Sequence, residues 1–233
     1  MSADPLEGST PSSPHNLPKA DWFRRSTWTA QDEAEFQASL GRSRSIFHKA
    51  QYLRIQAAHL AAVGTEPLIE AALRLLDQLI SQFPHDSQLA LAFQQRASCL
   101  VDLGRHAQAL AAYEAALAAE RAFPNLRTGA VLDYGELAIA LHRTDLYPRI
   151  EWLLNEMTST SGPQFPVGDY QYSVVRAFLA AERKDWAAVR THAARALAAA
   201  SKTESPFRYH RKLGLVSFVD PKVVEQLQKW CAV

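Results

Sequence analysis

The sequence has few of the residues on which several protein classes depend. Its 233 residues include only two cysteines, Cys99 and Cys231, which are too few for a disulfide framework. Nine glycines exclude a glycine-rich fibre, and 25 Lys+Arg against 24 Asp+Glu exclude a polybasic coat or an acidic tail. No apolar run approaches the roughly 20 residues of a membrane-spanning helix. We therefore expect a soluble cytoplasmic protein with free thiols and no membrane partner.

Alanine is the most prominent residue that the chain does contain. There are 39 alanines, and alanine has the highest helix propensity and lets helices approach closely. Between short breaks, apolar residues recur with helical spacing, as at Ala109, Tyr113 and Ala116. No long segment has the alternation typical of a strand, and only residues 213–219 could form either a strand or a loop. The pattern predicts an all-α fold.

Local signals suggest where order begins and where the last helix starts. Residues 1–20 hold four prolines and five Ser/Thr, which predicts a disordered tail. Thr29, followed three residues later by Asp32, has the spacing of a capping box at a helix start. An Asp-Pro pair at 220–221 predicts the start of the last helix. We expect a single helical domain over residues 21–233.

One segment has the residue spacing of a helix-pair repeat. Its packing positions are separated by 4, 3, 4, 5, 4 and 3 residues and are Phe93, Ala97, Leu100, Gly104, Ala109, Tyr113 and Ala116. This pattern resembles a tetratricopeptide repeat. Weaker copies flank it, anchored at Gly104, Thr144 and Lys184, which stand 40 residues apart instead of the usual ~34.

The resemblance implies an architecture. Antiparallel helix hairpins, about four pairs, would stack into a right-handed α-solenoid over residues 53–201. Residues 21–52 and 202–233 would cap its two ends. Segments at 21–28, 49–57, 120–125 and 206–216 are similar to a family of uncharacterised bacterial tetratricopeptide proteins, a similarity that implies the fold and no activity.

The sequence offers no arrangement of residues that catalysis requires. It has no glycine-rich phosphate loop, no Gly-x-Ser-x-Gly and no His-Glu-x-x-His. The eight histidines are scattered, so they predict no metal site. Cys99 lies in mid-helix beside Leu100, which favours a buried structural thiol over a nucleophile. We expect no enzyme activity, no metal and no cofactor.

The resemblance also implies a binding surface, because the first helix of each pair lines the inner face of such a solenoid. A protein-protein interaction module is therefore the predicted function, with a protein or peptide as partner. The candidate partner-binding residues are Arg54, Gln94, Gln95, Ser98, Asp102, Tyr134, His142 and Phe178. For Tyr134, burial between the second and third pairs is an equally good interpretation.

Two alternative functions stay open. One is a toxin-neutralising (immunity) protein, a specialised binder that no residue selects. The other is a nucleic-acid-associated regulator that uses a basic cluster, Arg42, Arg44, Lys49 and Arg54, in a stretch with no acidic residue between 40 and 65. The near-neutral net charge of +1 argues against the nucleic-acid function.

Overall fold

The computed structural model describes residues 21–123, 125–157, 165–207 and 209–232; the predicted tail at 1–20 lies outside them. Over these ranges the fold is all-helical, with no strand, and residues 213–219 form a loop. None of the described helices is long and apolar enough to cross a membrane. The helices are α1 (Ala30–Arg42), α2 (Ile46–Ala61), α3 (Glu66–Gln82), α4 (Leu89–Asp102), α5 (His106–Glu120), α6 (Ala130–Ala140), α7 (Tyr147–Met157), α8 (Pro166–Glu182), α9 (Trp186–Ala200) and α10 (Pro221–Ala232), with a 3-10 turn (Thr144–Leu146) before α7.

Contacts between residues divide the chain into two compact units, Met1–Phe83 and Pro84–Val233. The single domain over residues 21–233 that the sequence predicts stays a prediction. Each unit has its own core of buried leucines and alanines.

In the first unit, α2 packs along α3. Aromatic residues that precede α1 pack against Phe36 of α1 and Tyr52 of α2. The ring of Trp22 lies 5.3 Å from that of Phe36 and 4.9 Å from that of Tyr52. Trp28 contacts Phe36 from a second direction, at 5.4 Å. The aromatics before the first helix therefore pack on the helical core, and they bury Phe36 completely.

A polar anchor holds the segment before α1 in place. The predicted capping box is confirmed: the Thr29 hydroxyl accepts from the Asp32 N–H, and the Asp32 carboxylate accepts from the Thr29 N–H. Asp32 also accepts from Arg25 at 2.6 Å and from Thr27. The buried Gln56 side chain hydrogen-bonds both the N–H and the carbonyl of Arg25. Burial would raise the pKa of Asp32, but these hydrogen bonds outweigh it and lower that pKa.

The second unit contains three pairs of helices that are consecutive in the chain. In each pair the two helices pack against each other: α4 with α5, α6 with α7, and α8 with α9. The small residues predicted at the crossing of the first pair, Ala97, Ala109 and Ala116, are all fully buried. Helix α6 also packs against α5, the second helix of the first pair, and against α8, the first helix of the third pair.

The same turn ends the first helix of all three pairs. A residue with positive φ follows each helix: Gly104 (69°), His142 (53°) and Lys184 (60°). The next N–H donates to the carbonyl five residues earlier, at 2.8, 2.8 and 3.0 Å respectively. This is the Schellman arrangement that reverses a chain after a helix. The predicted anchor at Thr144 is therefore wrong by two residues.

Helices α6 and α8 approach so closely that one position requires glycine. A Cβ atom placed on Gly135 would lie 2.9 Å from both methyl groups of Val175, a distance that real Cβ atoms do not show. The missing side chain lets the two backbones meet across fully buried Val175.

Helix α10 covers one side of the third pair. Asp220 accepts a hydrogen bond from the Lys222 N–H at 2.8 Å, so the predicted start of the last helix is confirmed. Leu227 is fully buried in the cluster that α10 forms with α8 and α9. Trp230 packs edge-on against Phe178, with ring centroids 4.9 Å apart.

Ala109→Trp tests the crossing of α4 and α5. We expect the indole to overpack this fully buried position and to lower the unfolding free energy by about 3 kcal/mol. For a protein of this size the melting temperature should fall by about 5–10 °C. Ala111→Trp on the exposed face of the same helix is the control. Equal melting temperatures for the two variants would show that the crossing lies elsewhere.

Candidate functional site

Polar side chains connect the first helices of the three pairs. The Gln94 carboxamide on α4 donates to Asp133 Oδ2 on α6 at 2.7 Å. From α8, Gln171 Nε2 donates to Asp133 Oδ1 at 3.3 Å and to Glu136 Oε2 at 2.9 Å. We call these four half-buried residues the polar row. Its carboxamides and carboxylates alternate: Asp133 lies between Gln94 and Gln171, and Gln171 lies between Asp133 and Glu136.

Burial dominates the electrostatics of the polar row. It raises the pKa of Glu136 to about 7; the Asp133 charge raises it further, and the hydrogen bond from Gln171 partly opposes the shift. Burial also raises the pKa of Asp133, against the hydrogen bonds from Gln94 and Gln171. Among the described residues, neither carboxylate forms an ion pair. The row therefore holds negative charge that amides alone stabilise.

Two buried tyrosines experience the charge of the polar row. Burial raises the pKa of Tyr113, and the charge of Asp133 adds to the shift. Burial likewise raises the pKa of Tyr170, with Glu136 adding to it. Both phenols are therefore neutral, and the carboxylates lie close to an apolar, aromatic part of the core.

Four of the predicted partner-binding residues lie together on α4. Gln94 belongs to the polar row, and Ser98 and Asp102 follow it at intervals of four residues, so the three share one helix face. Ser98 and Asp102 are exposed, and Gln95 beside them is half-buried. Partial burial raises the pKa of Asp102. The α4 prediction thus identified an accessible surface beside the row.

The predicted groove position of Tyr134 is wrong. Tyr134 is only 2% exposed, and its ring lies 6.4 Å from that of Tyr113. Burial raises its pKa to about 12, and the charge of Glu114 on α5 contributes. Tyr134 therefore faces the second helices. Asp133, one residue earlier in α6, is only half-buried.

The other three candidates do not join the row. His142 is exposed, but it is the left-handed residue of a turn beyond α6, not part of the helix. Phe178 is covered in part by Trp230. Arg54 lies in the first unit, where partial burial lowers its pKa.

The residues predicted from the sequence do not include Asp133, Glu136 or Gln171. A signal was present in α6, AVLDYGELAIA, whose only charged residues are two acids spaced i, i+3 in an otherwise apolar helix. Such spacing places both carboxylates on one face. Gln171 has no comparable signal, because α8 carries several polar residues.

Metal and thiol chemistry find little support in the described part of the chain. No group of three or more His, Cys, Asp or Glu side chains there could hold a metal ion. Cys99 is buried, and burial raises its pKa to about 12, so the thiol is protonated at neutral pH.

Comparisons with known proteins give no match. No protein-family model matches the chain, and neither the curated proteins nor the solved structures contain a match. The tetratricopeptide resemblance therefore stays a prediction that rests on the residues and on the geometry of the helix pairs.

The raised pKa of Glu136 predicts how stability changes with pH. The folded state holds the proton up to a pKa of about 7, whereas a glutamate in the unfolded chain loses it near its ordinary pKa of 4.5. The folded state thus loses stability from this group as pH rises between these values. Glu136→Gln removes the effect, so its melting temperature relative to wild type should rise by a few degrees from pH 5 to pH 8.

Glu204→Gln, at an exposed loop position, is the matched control for differential scanning calorimetry. The difference between its melting temperature and that of the wild type should stay constant from pH 5 to pH 8. A constant difference for Glu136→Gln as well would contradict the buried, proton-retaining carboxyl.

Proposed function

We propose that the chain is a non-catalytic protein-interaction module of tetratricopeptide type. In this proposal, a segment of a partner protein binds across the first helices α4, α6 and α8. Buried Cys99 and exposed Cys231 are free thiols, which fits the reducing cytoplasm in which we place the module.

The recurrent turn supports the repeat architecture. Three consecutive helix pairs reverse through the same backbone conformation and the same hydrogen bond, although the residues at the turn are Gly104, His142 and Lys184. One conformation formed by three different residues supports the proposal that the pairs are copies of one structural unit. Stacked units of this kind present their first helices on a common surface.

The polar row is the observation that carries the proposed function. Its members come from three successive first helices, and all are accessible enough to meet a ligand. Two carboxylates with raised pKa values favour a neighbour that brings positive charge. A Lys or Arg side chain of a partner would provide that charge through charge-assisted hydrogen bonds.

The neighbouring residues extend the surface in the same direction. Ser98 and Asp102 continue it along α4, and Asp102 adds a third carboxylate on that face. The surface as a whole therefore fits a basic protein segment. Negative charge would repel nucleic-acid phosphates here, whereas a toxin-neutralising protein would use the same kind of contact.

Selection from a displayed peptide library on the immobilised full chain tests the proposal. We expect enriched peptides to contain Lys or Arg and to lose affinity when that residue becomes Gln. Asp133→Asn combined with Glu136→Gln should weaken binding by about tenfold or more, measured by fluorescence anisotropy, because a cationic partner would hold both carboxyls ionised and the variant can provide neither charge. The fold should persist, since burying a neutral amide costs less than burying a carboxylate.

Asp145→Asn is the control for this experiment. Asp145 is exposed and pairs with Arg143 in the turn after α6, away from the polar row. Its loss should leave peptide affinity unchanged. A selection that enriches no sequence, or peptides that bind the double variant as tightly as wild type, would contradict the proposed site.

A further inference from the structure

The junction of α1 and α2 exposes two consecutive apolar side chains. Ile46 is 66% exposed and Phe47 is 43% exposed at the first turn of α2. The Phe47 ring contacts the His48 ring, with centroids 5.7 Å apart, and His48 in turn stacks on Tyr52 at 6.0 Å. Isolated apolar side chains are common on protein surfaces, but an adjacent pair on a fixed helix end forms a projecting apolar tip.

Positive residues flank this apolar tip along the chain. Arg42 ends α1, Arg44 lies in the link between the helices, and Lys49 is one turn into α2. Arg42 donates to the Ser39 hydroxyl at 2.9 Å. In the described part of the chain, neither Arg44 nor Lys49 forms an ion pair. No acidic residue occurs between 36 and 65, so the local charge is strongly positive.

We propose that this junction docks on the surface of an anionic phospholipid bilayer. Ile46 and Phe47 would enter the boundary between headgroups and acyl chains, while the cations would contact lipid phosphate and carboxylate groups. Apolar tips flanked by Lys and Arg bind such interfaces through two contributions, the burial of apolar surface and the electrostatic attraction to anionic lipids.

The exposed pair of apolar side chains favours a bilayer over a nucleic acid as the ligand of this junction. Cations alone would serve either ligand, since both carry phosphates. Nucleic acids, however, engage apolar surface by stacking on flat aromatic or guanidinium faces. Ile46 has no such face and is the more exposed member of the pair. A bilayer uses both side chains, whereas a nucleic acid leaves Ile46 in water.

Docking at the surface differs from the membrane contact that the sequence excludes. The expectation of no membrane partner rests on the lack of an apolar run long enough to span a bilayer. Peripheral binding requires only a few projecting side chains and local charge, both of which α1 and α2 provide.

Vesicle co-sedimentation of the full chain tests the proposal. We expect binding to phosphatidylcholine vesicles that contain about 30 mol % phosphatidylserine, and much weaker binding to phosphatidylcholine alone. Ile46→Ser with Phe47→Ser should reduce binding to the anionic vesicles by about tenfold. Arg42→Gln, Arg44→Gln and Lys49→Gln together should do the same. Arg74→Gln, an exposed cation on α3, is the control and should bind as wild type.

A fluorescent probe reports on the depth of the tip. In a Cys231→Ser background, Phe47→Cys labelled with an environment-sensitive dye should shift to the blue with anionic vesicles. The same dye at Val63→Cys, a residue equally exposed at 43%, should not shift. Cys99 is buried and should remain unlabelled in the folded chain.

Three results would overturn the proposal. The first is no binding to the anionic vesicles. The second is undiminished binding by the Ile46→Ser, Phe47→Ser variant. The third is tight binding of single-stranded RNA that the triple cation variant loses, without any blue shift of the Phe47 probe on vesicles; the cations would then serve a nucleic acid. None of these outcomes affects the proposed peptide site in the second unit.

Discussion

The left-handed residue after each first helix is the constraint on which the second unit depends. It lets the chain reverse within a few residues, so that each second helix can pack back along the first. At His142 and Lys184 the conformation is uncommon for a residue with a Cβ atom. Packing of the helix pair and the bond to Ala138 or Ala180 offset this cost. Without the reversal, the three first helices would not contact one another through α6.

The polar row is a product of that packing. Helix α8 lies against α6, and this contact brings the Gln171 carboxamide to both half-buried carboxylates, Asp133 and Glu136. Burial then raises the pKa values, and the amides partly offset the cost of burying charge. In the first unit a buried carboxylate is stabilised differently, because Asp32 forms an ion pair with Arg25.

The helices and their ends could be predicted from the sequence, because they depend on local spacing and caps. Thr29 with Asp32, and Asp220 before Pro221, both act where the pattern places them. The site was predicted only on α4, where the repeat pattern is strongest. On α6 an error of one residue exchanged half-buried Asp133 for buried Tyr134, since a helix turns by 100° per residue. The anchors were hard to align because only one of the three left-handed positions is a glycine.

Gly135 gives the candidate surface an indirect dependence on a residue that has no side chain. A methyl group there would push α6 away from Val175 on α8. The same two helices hold the partners of the Gln171 hydrogen bonds, since Gln171 lies on α8 and its acceptors lie on α6. The distance between α6 and α8 at Gly135 therefore affects the distance from the Gln171 carboxamide to the two carboxylates. A larger residue at Gly135 would therefore disturb the contacts of Asp133 and Glu136 with Gln171, although Gly135 itself is buried.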